Sequence, residues 1–330
     1  MQPDSTAVGR PLARPIRVLL VPTLCLLLAA CTTAGQSPSG SGASLPPGGS
    51  STTGPSTGPS GSPSGGSAGA ISHPTGPNDL VIRYEELGGL VAPQALLTRY
   101  PIVSIYGDGR VITEGPVPAI FPGPALPNLR VSTLTEPGLQ RLLAIARDDG
   151  LLGPDASYDA TNVADASAAR FTVVADGATH TIGAYALGMD DPNLDADATA
   201  ARAKLRAFAA ALGDLPTSVG AENVGSDTAL AWDSIAVYVG EGAPEPGDSN
   251  LARKPIAWPL STPLATFGAP ATAGTINAGR CGVVSGADAD RLRPLLADAT
   301  QITPWTSGGT AYSLTFHPLL PDQATCPGSS

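Results

Sequence analysis

Histidine is scarce in this chain: His73, His180 and His317 are the only three among 330 residues. Zinc sites take three or four ligands, and His180 and His317 each stand alone in a strand pattern, so a histidine metal centre is not expected. Lysine is scarcer, with Lys204 and Lys254 against sixteen arginines, and the basic residues nowhere cluster. A nucleic-acid surface, or a second electrostatic contact with anionic lipid, needs such a cluster. Aromatic residues make up only 5% of the chain, few for a cleft that stacks sugars. No Gly-rich phosphate loop follows a strand and opens a helix. The apolar run Val18–Ala30 has thirteen residues, short of the roughly 20 that span a bilayer.

That run has an address written around it. Arg10, Arg14 and Arg17 precede it against a single Asp4. A basic start, a short apolar core and small exit residues make a secretory signal peptide over residues 1–30. Leu28-Ala29-Ala30-Cys31 resembles the lipobox of bacterial lipoproteins. The resemblance implies cleavage between Ala30 and Cys31 and attachment of diacylglycerol to the Cys31 thiol. Each buried CH₂ adds about 0.8 kcal/mol, so two or three acyl chains hold a protein at a membrane. The expected location is the extracytoplasmic side of the cell membrane, with the lipid anchor as the membrane contact.

From Thr32 to Asn78 there is no Asp, Glu, Lys or Arg. Ser, Gly, Thr and Pro dominate, and such a stretch cannot bury enough apolar area to offset its ordering entropy. Residues 31–78 therefore read as a disordered tether with a root-mean-square reach of about 35–40 Å. Gly54-Pro55-Ser56-Thr57-Gly58 matches the G-x-S-x-G of serine hydrolases. The motif needs a preceding strand and a following helix, and a Ser/Gly tract offers neither. His73 has no partner nearby in the same tract.

Without its first 30 residues the chain loses three arginines and one aspartate, and its formal charge moves from −10 to −12. Two cysteines remain beyond Cys31, Cys281 and Cys326. In an exported domain such a pair reads as a disulfide, with two free thiols as the alternative. Closing a loop of about 45 residues stabilises by roughly 4 kcal/mol in the chain-entropy model.

Residues 79–330 form the globular region. Strand patterns fall at 80–85, 171–175, 179–186, 234–239, 280–284 and 311–317. A hairpin turns at Asp108-Gly109 between 102–106 and 110–113, and another at Asp176-Gly177. Residues 116–127, rich in Pro and Gly, read as a loop. Thr135 caps a helix opened by Pro137, whose Leu139, Leu142, Leu143 and Ala146 make one buried stripe ended by Gly150. Further helices are expected over 198–212 and 287–299, the latter interrupted or delayed by Pro294. Hairpins before helices, without repeated βαβ spacing, predict α+β with mainly antiparallel sheets and two or three packed helices. The order also allows subdomains 79–215 and 230–330.

Four segments, VSIYGDGRVITEGPVPAIFPGPALPNL, LTEPGLQRLLAIARDDGLL, FTVVADGATHTI and RCGVVSGADADRLRPLL, resemble uncharacterised secreted lipoproteins of high-GC bacteria. That resemblance strengthens the lipoprotein and disulfide readings and carries no catalytic residue across.

Two acidic clusters remain. Asp191, Asn193, Asp195 and Asp197 alternate like the start of a calcium loop. Ala196 stands where the sharp turn wants Gly, and Arg202 where a bidentate Glu belongs. A solvated loop whose aspartates cap the next helix reads better. Glu85 and Glu86 are adjacent in a strand and point to opposite faces, so they do not flank one glycosidic bond. No catalytic residue and no cofactor is assigned. The reading is a non-catalytic, lipid-anchored module for a protein, peptide or small ligand; an extracytoplasmic hydrolase and a carrier of a hydrophobic ligand are the alternatives.

Overall fold

Strand β1 (Leu80–Gly88) runs antiparallel to β2 (Val103–Tyr106) on one side and to β6 (Ser167–Ala175) on the other. The computed structural model describes residues 69–245, 247, 249–273 and 276–327. Ala30, Cys31 and the Gly54–Gly58 motif lie outside them.

The rest of sheet 1 comes from β3 (Arg110–Glu114), β4 (Leu129–Thr133), β5 (Ala156–Ser157), β7 (Ala178–Tyr185) and β8 (Thr228–Ala229), in the order β5-β7-β6-β1-β2-β3-β4-β8. Sheet 2 comprises β9 (Ser234–Glu241), β10 (Ile256–Ala257), β11 (Ala269–Ala273), β12 (Ile276–Ser285), β13 (Pro304–Ser307) and β14 (Thr310–Pro318), in the order β10-β13-β14-β9-β12-β11. Pairing is antiparallel except for the two-residue strands β5 and β10. The helices are α1 (Pro93–Thr98), α2 (Glu136–Asp148), α3 (Ala196–Gly213), α4 (Leu215–Val219) and α5 (Gly286–Ala297). The architecture is α+β with two mainly antiparallel sheets. Among the described residues no helix is long and apolar enough to cross a membrane.

Local chemistry explains the longer helices. Thr135 Oγ1 accepts from the Gly138 backbone N–H at 3.3 Å and caps α2. Its stripe of Leu139, Leu142, Leu143 and Ala146 is fully buried. Asp195 Oδ1 accepts from the Ala198 N–H at 2.7 Å and caps α3, where Leu205, Phe208 and Leu212 turn inward. Pro294 sits inside α5 without ending it.

Each sheet buries one face under helices. Sheet 1 presents Val103, Ile105, Val111, Phe171 and Val173 to the stripes of α2 and α3. Sheet 2 presents Ile235, Val237, Leu314 and Phe316 to Leu292 and Leu296 of α5 and to Trp258 and Trp305. The opposite faces meet through α1 and the C-terminal segment. Leu320 packs with Tyr106, Ile112 and Leu129 of sheet 1, and Leu97 of α1 packs with Ala236 and Tyr238 of sheet 2. A disulfide joins Cys281 to Cys326, with the Cα atoms 6.2 Å apart.

The tether was expected to extend to residue 78, but the stretch from Ile71 to Pro77 packs against the folded domain. Ile71 is only 6% exposed, and its backbone exchanges hydrogen bonds with the Gln140 carboxamide. His73, read as lacking a partner, has Nε2 3.1 Å from Glu136 and Nδ1 2.7 Å from the Pro74 carbonyl. Arg110 donates to the Pro77 carbonyl at 2.5 Å. Uncharged composition hid this arm, because its partners lie on α2 and β3, far along the chain.

Candidate functional site

The second face of sheet 2 is covered only in part. Where α1 stops covering it, a groove of about 900 Å³ opens. Tyr238 and Gly240 of β9, Gly279 of β12, and Ser313 and Thr315 of β14 make its floor. Ala92, Ala95, Leu97 and Thr98 form one wall, and Phe121, Ala125, Gln301 and Ile302 the other. Glu241 and Pro244 lie at the end of β9.

The floor is low because two glycines, Gly240 and Gly279, form part of it. A Cβ on Gly240 would sit 2.5 Å from Ser313 Oγ. Gly279 has φ +73°, and a Cβ on it would meet the Val239 carbonyl at 2.2 Å. Only glycine accepts that combination of backbone and space.

Both walls are pinned. The Leu97 carbonyl accepts from His317 Nδ1 at 3.0 Å. Arg99 donates to the carbonyls of Glu86 and Gly88 at 3.2 and 2.8 Å. Tyr100 O–H donates to the Pro318 carbonyl at 2.9 Å. The 115–128 loop is closed at its base by Gly115 N–H on the Asn128 carbonyl at 2.7 Å. It is tied to the turn before β13 by Ala125 N–H on the Ala299 carbonyl at 2.9 Å and Gln301 N–H on the Gly123 carbonyl at 3.0 Å.

Apolar side chains crowd the same end of sheet 1. Tyr84 pairs with Val103 and Val103 with Thr113, so the end of β1, the start of β2 and the end of β3 lie together. The connections leaving that end carry Leu90, Val91, Ile102, Val117, Ile120 and Phe121, six of the eight exposed large hydrophobic residues among those described. Leu90 is 84% and Phe121 63% exposed.

Hydroxyls of Thr98, Ser313, Thr315 and Tyr238, the Gln301 carboxamide and the Glu241 carboxylate are the groove's polar groups among the described residues. Burial pushes the Tyr238 hydroxyl up to about 12, and that hydroxyl donates to the Pro327 carbonyl at 2.6 Å. Burial also raises the Glu114 carboxyl, at the end of β3, above its ordinary value. No histidine or cysteine among the described residues lines the groove. Among the described residues, none of the three histidines has a hydroxyl partner.

The calcium candidates are engaged elsewhere. Asp191 Oδ2 accepts from the Thr161 backbone N–H at 2.7 Å and from Thr161 Oγ1 at 3.0 Å, and Oδ1 accepts from the Asn193 N–H at 2.9 Å. These bonds, the Thr161 backbone N–H foremost, hold the Asp191 carboxyl below its ordinary value. Asp195 caps α3, and Asp197 is exposed in its first turn. Arg202 turns inward, 2% exposed, and its guanidinium donates to the carbonyls of Tyr158, Tyr185, Ala186 and Met189 at 2.5–2.9 Å. No group of three or more His, Cys, Asp or Glu among the described residues is arranged to hold a metal ion. Glu85 pairs with Arg170 across the strands, and Glu86, on the other face, accepts from Tyr84 O–H and Ser167 O–H.

The sequence reading named no groove residue. Its lining comes from six separate stretches of chain, and small neutral side chains leave no motif. The one local hint was the Pro/Gly-rich loop around Phe121. Set against known protein families, curated proteins and solved structures, the chain matches none of them.

Proposed function

We propose that this chain is a lipid-anchored, extracytoplasmic module that holds a peptide segment of a partner protein in the groove and performs no chemistry on it. The observation that carries the reading is a groove of about 900 Å³ beside exposed Leu90, Ile120 and Phe121, with no nucleophile–base pair in its lining. That volume lies at the upper end of the range for ligand sites. Exposed apolar side chains gathered on the connections beside a groove suit a surface that a partner covers. The anchor rests on Leu28-Ala29-Ala30-Cys31 and the uncharged stretch that follows. The Cys281–Cys326 disulfide accords with an oxidising compartment.

Ala95→Trp places an indole against the groove. The detergent-solubilised protein, immobilised and panned with a random peptide library, is expected to enrich sequences that the Ala95→Trp protein does not retain. Identical enrichment by both proteins sinks the reading. Turnover in an esterase or peptidase screen, abolished by the same substitution, replaces it with the hydrolase. For the anchor, a Cys31→Ala protein is expected to lose fatty-acid labelling and membrane sedimentation together.

A further inference from the structure

We infer that the segment seated in this groove is extended, cationic and apolar; the inference rests on the groove reading above. Charge carries it first. Among the described residues Glu241 is the sole Asp, Glu, Lys or Arg in the lining, and no cation is among them. Glu114 ends β3 at the base of the loop that carries Phe121, and Glu241 ends β9. Neither takes part in an ion pair among the described residues. The arginines closest in sequence to the walls and floor are committed to backbone carbonyls: Arg99 to Glu86 and Gly88, Arg280 to Phe267 and Gly268. Glu245, exposed and also without an ion pair, follows Pro244. The formal charge of −12 on the chain beyond residue 30 adds a long-range attraction of the same sign. Arg99 and Arg280 keep their charge, but the N–H groups they direct at those carbonyls are not offered to the groove, so an anionic segment would meet the Glu241 carboxylate in the lining itself.

Shape and polarity give the rest. Ser313 Oγ and the Gln301 carboxamide line the groove and have no hydrogen-bond partner among the described residues. Ser313 offers one donor and two acceptor lone pairs, and Gln301 both donors and acceptors, which suits the alternating N–H and C=O groups of an extended backbone. Alanines and Leu97 in one wall and Phe121 in the other give apolar contacts to side chains of that segment. Lys and Arg carry long apolar stems that cover such walls while the charged head reaches Glu241 or Glu114.

The test uses three labelled pools of short peptides, alternating valine with lysine, glutamate or serine, titrated against the whole protein by fluorescence anisotropy. The lysine pool is expected to bind tightest. Glu241→Lys is expected to weaken it about five- to tenfold, since it replaces an attraction with a repulsion. Raising NaCl from about 0.05 to about 0.5 M, which shortens the Debye length from about 14 to about 4 Å, weakens it on the wild-type protein as well. Ala95→Trp removes the binding. If the glutamate or serine pool binds as tightly and is lost with Ala95→Trp, the charge inference is overturned while the groove reading stands. If the lysine pool binds but ignores both substitutions, only diffuse surface attraction is present and the inference fails. If no pool responds to Ala95→Trp, the groove reading falls and the inference with it.

Discussion

Nδ1 of His317 lies 3.0 Å from the carbonyl oxygen of Leu97, joining β14 to α1 across 220 residues of chain. A carbonyl only accepts, so Nδ1 carries the proton and Nε2 is a lone pair. That lone pair is buried and has no partner among the described residues. The imidazole stacks on Tyr100, with ring centroids 4.1 Å apart and planes within 7°. One wall of the groove is therefore fastened by a neutral histidine that is 2% exposed.

Acid weakens that fastening. Burial, the largest effect, pushes the His317 imidazole from its ordinary 6.5 down to about 4. A folded-state pKa below the unfolded value means that the unfolded chain takes up the proton first. The stability contribution is complete above about pH 6.5 and is lost as pH falls from there through about 4. The shift corresponds to about 3 kcal/mol. Urea unfolding at neutral pH and near pH 4 should show a smaller loss for His317→Leu than for the wild-type protein. Equal losses in the two proteins would remove His317 from the account.

Arg202 tests a different kind of burial. Its guanidinium serves four carbonyls and has no ion-pair partner among the described residues. Arg202→Met keeps the volume of the stem and strands those oxygens, at a cost of about 3–5 kcal/mol. Arg202→Lys recovers little of it, because an ammonium has three donors and lacks the planar fork that spans both ends of the cage. Thermal unfolding of the two variants measures this; a Lys variant as stable as wild type contradicts the cage.

What was legible in the sequence was local. The Asp108-Gly109 and Asp176-Gly177 turns place β2–β3 and β6–β7, because positive backbone angles are a property of the residues themselves. Asp176 and Gly177 do have φ of 51° and 76°. The α2 helix was legible through its Thr135 cap and its stripe. By contrast α1 has six residues, no side-chain cap and too little length for periodicity; packing by Leu97 and the bond to His317 hold it. Strand β4, Leu129–Thr133, was folded into no element, since only its register with β3 reveals it. The groove was invisible for the same reason: its floor depends on Gly279 of β12 lying against the Val239 carbonyl of β9, a relation between strands.

Calcium gives a sharp negative test for the 191–197 loop. Both oxygens of Asp191 already accept protein hydrogen bonds, and Asp195 is spent as a cap. Binding the ion would have to undo those bonds beside the Arg202 guanidinium. Isothermal titration with millimolar calcium is expected to show dilution heat alone, with an unchanged melting temperature. Saturable heat would restore the calcium-loop reading.

The C-terminal segment behaves as a strap with separable fastenings. Leu319 N–H donates to the Ser234 carbonyl at 2.9 Å on sheet 2. Leu320 is buried against sheet 1, where Asp322 Oδ1 takes Arg83 at 2.9 Å and Tyr106 O–H at 2.8 Å. Beyond that point the disulfide to Cys281 and the Tyr238 bond to Pro327 fix the end. Removing the disulfide with Cys281→Ser/Cys326→Ser should lower stability by up to about 4 kcal/mol, the loop-closure entropy of the unfolded chain. It should also expose the segment after Asp322 to protease, while Leu319 and Leu320 remain protected by burial. Asp322→Asn leaves the Arg83 guanidinium mostly buried without its counter-charge, at a cost of about 1–3 kcal/mol. Because the two changes act on neighbouring residues of one strap, the triple variant should lose less than the sum of the separate losses. Limited proteolysis read by mass spectrometry, with and without reductant, follows each fastening in turn. Unchanged protection after reduction would mean that Leu319, Leu320 and Asp322 hold the tail alone.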